Sequence, residues 1–110
     1  MKAKSEIVIA LVTAPDRKTA RKLSQIILRE RLAACVNQVP GIESHYWWNG
    51  KLERGTEVLM ILKTTSKRVG ALQKCVLENH PYDTAEFLIV PINGGSKKYL
   101  DWVKDSVQPQ

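Results

Sequence analysis

The stretch ACVNQVPGIESHYWW (residues 34–48), then Asn49-Gly50, then KLERGTEVLMILKT (residues 51–64) decides how this chain folds. Asn-Gly between two β-rich runs is the strongest short-range hairpin signal, because both residues tolerate the positive φ of a type I′ turn. Within the second run, Glu57 to Lys63 has the composition of a central strand. Each arm holds about 15 residues, so a straight arm spans roughly 50 Å at ~3.3 Å per residue. A compact domain of this size has a diameter of roughly 35 Å, so the hairpin must bend or project. Pro40-Gly41 is the expected place for a bend or bulge. Beyond it, alternation puts the rings of His45, Tyr46, Trp47 and Trp48 on both faces of the distal hairpin. A single layer of helices buries only one face, so the exposed rings point to a contact with another protein chain.

Working outward, the run from Glu6 to Thr13 reads as a short buried strand, β-branched and apolar on both faces. Lys2 and Lys4 ahead of it loosely imitate a secretory signal, but Glu6 interrupts the apolar run and a first strand explains it better. The expected compartment is the cytoplasm. Pro15 stops the strand and Asp16 caps a helix expected to run to about Arg31. On the other side of the hairpin, Ser66 is the expected cap of a second helix with Val69, Leu72 and Val76 on its apolar side, ended by His80-Pro81. A fourth strand is expected over residues 86–92, with Pro91 marking an edge or a bulge. Gly94-Gly95 breaks the chain, and Ser96 caps a last helix carrying Tyr99, Leu100 and Val103. The order β-α-β-β-α-β-α predicts an α+β, ferredoxin-like domain: four antiparallel strands, both main helices on one face, and an extra C-terminal helix.

The chain of 110 residues fits one domain, and 44% hydrophobic with 25% charged residues is ordinary globular composition. No run approaches the ~20 apolar residues that cross a bilayer. The two cysteines, Cys35 and Cys75, form no CxxC pair and are expected as buried reduced thiols. A net charge of +6 admits a polyanion partner. Yet Arg17, Lys18, Arg21, Lys22 and Arg29 fall on one helix side opposite Ala20, Leu23 and Ile27, the pattern of a solvated face.

Six segments stand in the order seen in the CutA-type divalent-cation-tolerance family. They are residues 13–16 (TAPD), 31–37 (RLAACVN), 46–53 (YWWNGKLE), 57–64 (EVLMILKT), 80–82 (HPY) and 99–103 (YLDWV). The resemblance covers nearly the whole chain, from Ile7 to Val107. It implies a ferredoxin-like fold assembled as an intertwined homotrimer with interlocked hairpins, an architecture similar to PII-like signalling proteins, and a role in the response to divalent metals, copper especially. Copper-site members carry a cysteine at the end of the first strand and a His-His pair before Pro-Tyr. Here those positions are Val12 and Asn79-His80, so one of three implied ligands survives. His80 is the remaining candidate for weakly held copper or zinc, with Glu86 and Cys35 as expected co-ligands. Lys63 and Tyr82 are expected to join these three in lining a ligand cleft between subunits.

Two other functions compete with this one. A ferredoxin-like sheet can stack bases on aromatic strand residues, which makes a nucleic-acid-binding module the alternative. However, the third strand reads Val58-Leu59-Met60-Ile61-Leu62, with no aromatic and no RNP1 pattern. No phosphate loop, HExxH, GxSxG or CxxC occurs, so no catalysis is expected.

Overall fold

The computed structural model describes residues 6–109, so Lys2 and Lys4 lie outside the described residues. Strand β1 (Ile7–Ala14) is followed by helix α1 (Arg17–Arg29), the hairpin β2 (Cys35–Trp48) and β3 (Lys51–Thr65), helix α2 (Val69–Asn79), strand β4 (Leu88–Pro91) and helix α3 (Lys97–Ser106). The strands form one sheet in the order β2-β3-β1-β4, every neighbouring pair antiparallel. This is the ferredoxin-like arrangement expected from the element order.

The hairpin turn is as its chemistry demands: Asn49 has φ 50° and Gly50 φ 76°, both left-handed as a type I′ turn requires. The pairing passes from Val39↔Leu59 to Ile42↔Glu57, so Pro40 and Gly41 face the single residue Val58 in a bulge. Gly41 takes the positive φ there, at 74°. The bulge resets the alternation, so Ile42, Ser44, Tyr46 and Trp48 continue the sheet face begun by Cys35, Asn37 and Val39. The hairpin still makes the molecule long. Its greatest extent is 43 Å, and its radius of gyration is 14.7 Å against ~13 Å for a compact chain of this length.

Asp16 caps α1 by accepting a bond from the Thr19 N–H at 2.7 Å. The helix ends at Arg29, two residues before the expected limit, because Arg31 swings to φ 56°. The N–H of Leu32 then donates to Ile27 O at 3.0 Å and that of Arg31 to Leu28 O at 3.1 Å, the paired bonds of a Schellman stop. Ser66 is not the cap of α2. It opens a 3-10 turn (Ser66–Arg68), itself preceded by Thr65, and Arg68 stands at the cap position of α2. Pro81 holds His80 extended at ψ 139°, which ends α2 as expected. Strand β4 is shorter than the predicted run, since only Leu88–Pro91 pair with β1. Ser96 does precede α3, but its contribution is the backbone bond from Leu100 N to Ser96 O rather than a side-chain cap.

The core lies between the helices and one face of the sheet. Ala10, Val12 and Ala14 of β1 and Val58, Met60 and Leu62 of β3 meet Ala20, Leu23 and Ile27 of α1 and Leu72 and Val76 of α2. The alternate residues Ile9, Leu11, Leu59 and Ile61 turn to the other face and are only half-buried, while Leu88 and Val90 beside them are exposed. At the hairpin tip the cross-strand pair Trp47 and Leu52 is 71% and 69% exposed. The half of the hairpin beyond the bulge therefore presents its rings to solvent, as its length implied. Helix α3 is tied down by two arginines that bond its last carbonyls, Arg31 to Ser106 O at 3.1 Å and Arg68 to Val107 O at 2.9 Å.

Candidate functional site

Pro81 turns the chain out of α2 into a loop that runs back across the end of β1. His80, at the hinge, is 9% exposed and has both ring nitrogens occupied. Nε2–H donates to the Thr13 carbonyl at 2.7 Å, which leaves Nδ1 to accept from the Tyr82 N–H at 3.1 Å. The imidazole is thus a clamp between β1 and the loop. It also packs on the Tyr82 ring, with centroids 4.8 Å apart. So held, Tyr82 reaches β3 and its hydroxyl donates to Glu57 Oε2 at 2.9 Å. Burial first, and then this bond to Glu57, push the phenol pKa up to about 12, so Tyr82 works as a donor and not as a base. Glu86, farther along the loop, is half-buried. Its carboxyl is held above its ordinary value by burial and, second, by the charge of Glu57.

Between the loop and the distal hairpin lies an open cleft of about 800 Å³, into which Thr13, Ser44, Tyr46, Glu57, Tyr82 and Glu86 all project. Of the five expected site residues, Tyr82 and Glu86 line this cleft. His80 stands behind it, holding the loop. Cys35 and Lys63 lie elsewhere, paired across β2 and β3. There the Lys63 ammonium donates to Asn37 Oδ1 and sits 3.9 Å from the Cys35 sulfur. Lys63 pairs with Ile9, four residues along β1 from Thr13, which is roughly 13 Å at strand rise.

Cys35 and Lys63 of one chain thus stand apart from its cleft, whereas the expected ligand cleft lies between subunits. Within one chain, His80 is engaged by backbone at both nitrogens and Cys35 is beside a cation. Among the described residues no three His, Cys, Asp or Glu side chains converge to hold a metal. The described residues of a single chain do not form a preformed copper site. The thiols are also not buried as expected: Cys35 and Cys75 are both free and half-buried. Burial, followed by the nearby charges of Glu30 and Glu78, raises the pKa of Cys75.

Sequence reading missed Glu57, the acceptor for Tyr82, along with Thr13, Ser44 and Tyr46. One signal for Glu57 was available: it is a carboxylate that opens an apolar central strand, next to Val58, which faces the Pro40-Gly41 bulge.

With this architecture and loop in place, comparison with known proteins is decisive. The pattern of the CutA1 divalent ion tolerance protein family matches residues 8–106. This chain belongs to the CutA1 family. Among curated relatives, the divalent-cation tolerance protein CutA of Citrobacter koseri is 47% identical over 103 residues, covering 94% of this chain and 90% of that protein. The rice protein CutA 1, chloroplastic, is 46% identical over 101 residues, or 92% of this chain. The chain spans 57% of the rice protein's length. Among solved structures, the periplasmic divalent cation tolerance protein CutA from Archaeoglobus fulgidus superposes with a TM-score of 0.90 at 37% identity, covering 93% of this chain and 99% of that one. Family members therefore carry names from more than one compartment. In this chain no helix among the described residues is long and apolar enough to cross a membrane.

Proposed function

We propose that this CutA1-family chain acts as a homotrimeric, non-catalytic binding protein of the cytoplasm. In this reading it takes a small ligand in the cleft closed by Tyr82, Glu57 and Glu86 and couples that binding to a metal-response or signalling role of the PII-like kind. The observation that carries it is the uncovered sheet face. Ile9, Leu11, Leu59 and Ile61, with Leu88 and Val90 beside them, form a contiguous apolar surface across β3, β1 and β4 that the single chain leaves half-buried to exposed. A surface of that kind is normally covered by another chain. The exposed Trp47–Leu52 pair at the hairpin tip supports interlocking with neighbouring copies. The cleft beside that hairpin then lies close to a subunit boundary.

Copper or zinc enters this proposal only as a weakly held guest, because His80 must surrender a backbone hydrogen bond before it can ligate. A nucleic-acid reading gains no support from the sheet, whose β3 positions facing outward are Leu59 and Ile61 rather than rings.

The test is Ile61→Glu, which buries a charge in the proposed subunit contact, examined by light scattering alongside far-UV circular dichroism. The expected result is a folded chain of one-subunit mass. Leu52→Glu at the hairpin tip serves as the second variant should Ile61→Glu fail to fold. Retention of the parent mass by both folded variants overturns the assembly.

A further inference from the structure

The first two turns of α1 carry Arg17, Lys18, Arg21 and Lys22 and no acid. Arg17 and Arg21 stand one turn apart, as do Lys18 and Lys22, so each pair sets like charges side by side, about 5–6 Å between Cβ atoms. This end of the helix is already the positive end of its dipole. Local stability opposes the arrangement on both counts. Asp16, the adjoining carboxylate, is committed to the Thr19 N–H at 2.7 Å. Among the described residues, no ion pair or hydrogen bond engages the side chain of Arg17 or Arg21.

The same two arginines line an open cavity of about 280 Å³ between α1 and the bulge of β2, with Gln38 and Pro40 opposite them. Gln38 pairs with the core residue Met60, so its side chain stands on the helix side of the sheet, away from the apolar face assigned to neighbouring copies. Its amide is fixed in place. Nε2 donates to Ser24 Oγ at 3.0 Å, and that buried hydroxyl donates to Ala20 O at 2.7 Å. The second N–H of the amide has no partner among the described residues. The cavity thus offers two guanidinium forks and an amide, with no carboxylate on its walls.

A guanidinium meets an oxyanion through paired N–H groups, and a lysine ammonium does not reproduce that fork. One fork is enough for a carboxylate, whereas the several acceptor oxygens of a phosphate can take two. A space of about 280 Å³ suits a phosphoryl group with a short carbon chain, since whole drug-sized ligands fill roughly 300–1,000 Å³.

We propose that Arg17 and Arg21 bind the phosphate of a small phosphate monoester in this cavity, with Gln38 completing the donor set and the carbon chain set against Pro40. The site is separate from the cleft at Tyr82, and neither depends on the other. A bound phosphate offsets the repulsion between the two arginines at the start of α1, so occupancy also stabilises the folded chain.

The experiment is a calorimetric titration of the intact chain with glycerol 3-phosphate, at ionic strength held constant with sodium chloride. Sodium phosphate, sodium acetate and a short single-stranded DNA are titrated in parallel. Saturable binding of glycerol 3-phosphate is expected, with inorganic phosphate weaker and acetate at least tenfold weaker. Arg17→Gln and Arg21→Gln should each weaken it at least fivefold, and Arg21→Lys at least threefold, because lysine keeps the charge and loses the fork. Lys22→Gln removes the same charge from the same helix outside the cavity and should change affinity less than twofold. Circular dichroism melts check that each variant folds, and the rise in midpoint with glycerol 3-phosphate should be lost in Arg21→Gln. Should an arginine variant fail to fold, Gln38→Glu, which sets a carboxylate in the cavity, should abolish binding instead. An equal loss in Lys22→Gln would mean a diffuse basic surface and overturn the site. Inorganic phosphate as tight as the ester, or acetate as tight as either, overturns the ligand class. Saturation by DNA alone, or by none of the four, overturns the proposal.

Discussion

Replacing His80 by alanine distinguishes a clamp from a metal ligand. The imidazole makes two bonds to backbone, one to the Thr13 carbonyl at 2.7 Å and one from the Tyr82 N–H at 3.1 Å, in a residue only 9% exposed. Each bond contributes about 1 kcal/mol net, and stranding a buried carbonyl costs about 1–3 kcal/mol more. Loss of the ring's packing on Tyr82 adds to this. His80→Ala should therefore destabilise the chain by about 3–5 kcal/mol. With a urea slope of about 2 kcal/mol/M, the midpoint falls by roughly 1.5–2.5 M. Parent and variant must be compared at one chain concentration, because assembly contributes to apparent stability. Copper titration by calorimetry on the same samples completes the assay, with weak binding expected in the parent and a change of less than tenfold in the variant. An unchanged urea midpoint together with a tenfold or greater loss of copper affinity would refute the reasoning and make His80 a ligand.

Three further outcomes follow from the same geometry. Glu86 has a folded-state pKa above its ordinary 4.5, so its ionisation opposes folding: stability should be highest below that value and decline as pH rises through the raised one. Glu86→Gln should consequently be more stable than the parent at pH 7 in urea melts, with the gap closing by pH 4. A gap of the opposite sign would mean that Glu86 is stabilised as a carboxylate. Gly50→Val forces a β-branched residue to φ 76° and should cost roughly 1–3 kcal/mol in thermal melts and slow assembly, whereas an unchanged melt would place the turn in another class. Short DNA or RNA should bind the basic face of α1 weakly in anisotropy titrations and dissociate near physiological salt, while salt-resistant, sequence-selective binding would restore the nucleic-acid reading.

Much of the fold was legible because single residues dictate local geometry. Asn49-Gly50 can turn with two positive φ values, Pro40-Gly41 breaks the ladder, Asp16 presents its carboxylate to Thr19, and Pro81 ends α2 wherever the rest of the chain goes. The element ends were less legible where tertiary contacts decide them. Arg31 adopts a left-handed conformation that glycine usually fills, and its guanidinium reaches across the fold to α3. The 3-10 entry to α2 and the shortness of β4 likewise have no local sequence mark. The site was read only in part. Tyr82 and Glu86 were found, but Glu57 meets Tyr82 across 25 residues of sequence, and nothing short of the sheet register predicts that bond. His80, Cys35 and Lys63 are expected with them in a cleft between subunits; within one chain the strand pairing sets Cys35 and Lys63 apart and backbone groups occupy His80.

Sedimentation equilibrium of the unmodified chain at micromolar concentration tests the central claim most directly. An apolar sheet face spanning β3, β1 and β4 and a hairpin ending in exposed Trp47 and Leu52 call for neighbouring copies to cover them. The account predicts a single species of about three times the 12.4 kDa chain mass. A species of 12.4 kDa would contradict it.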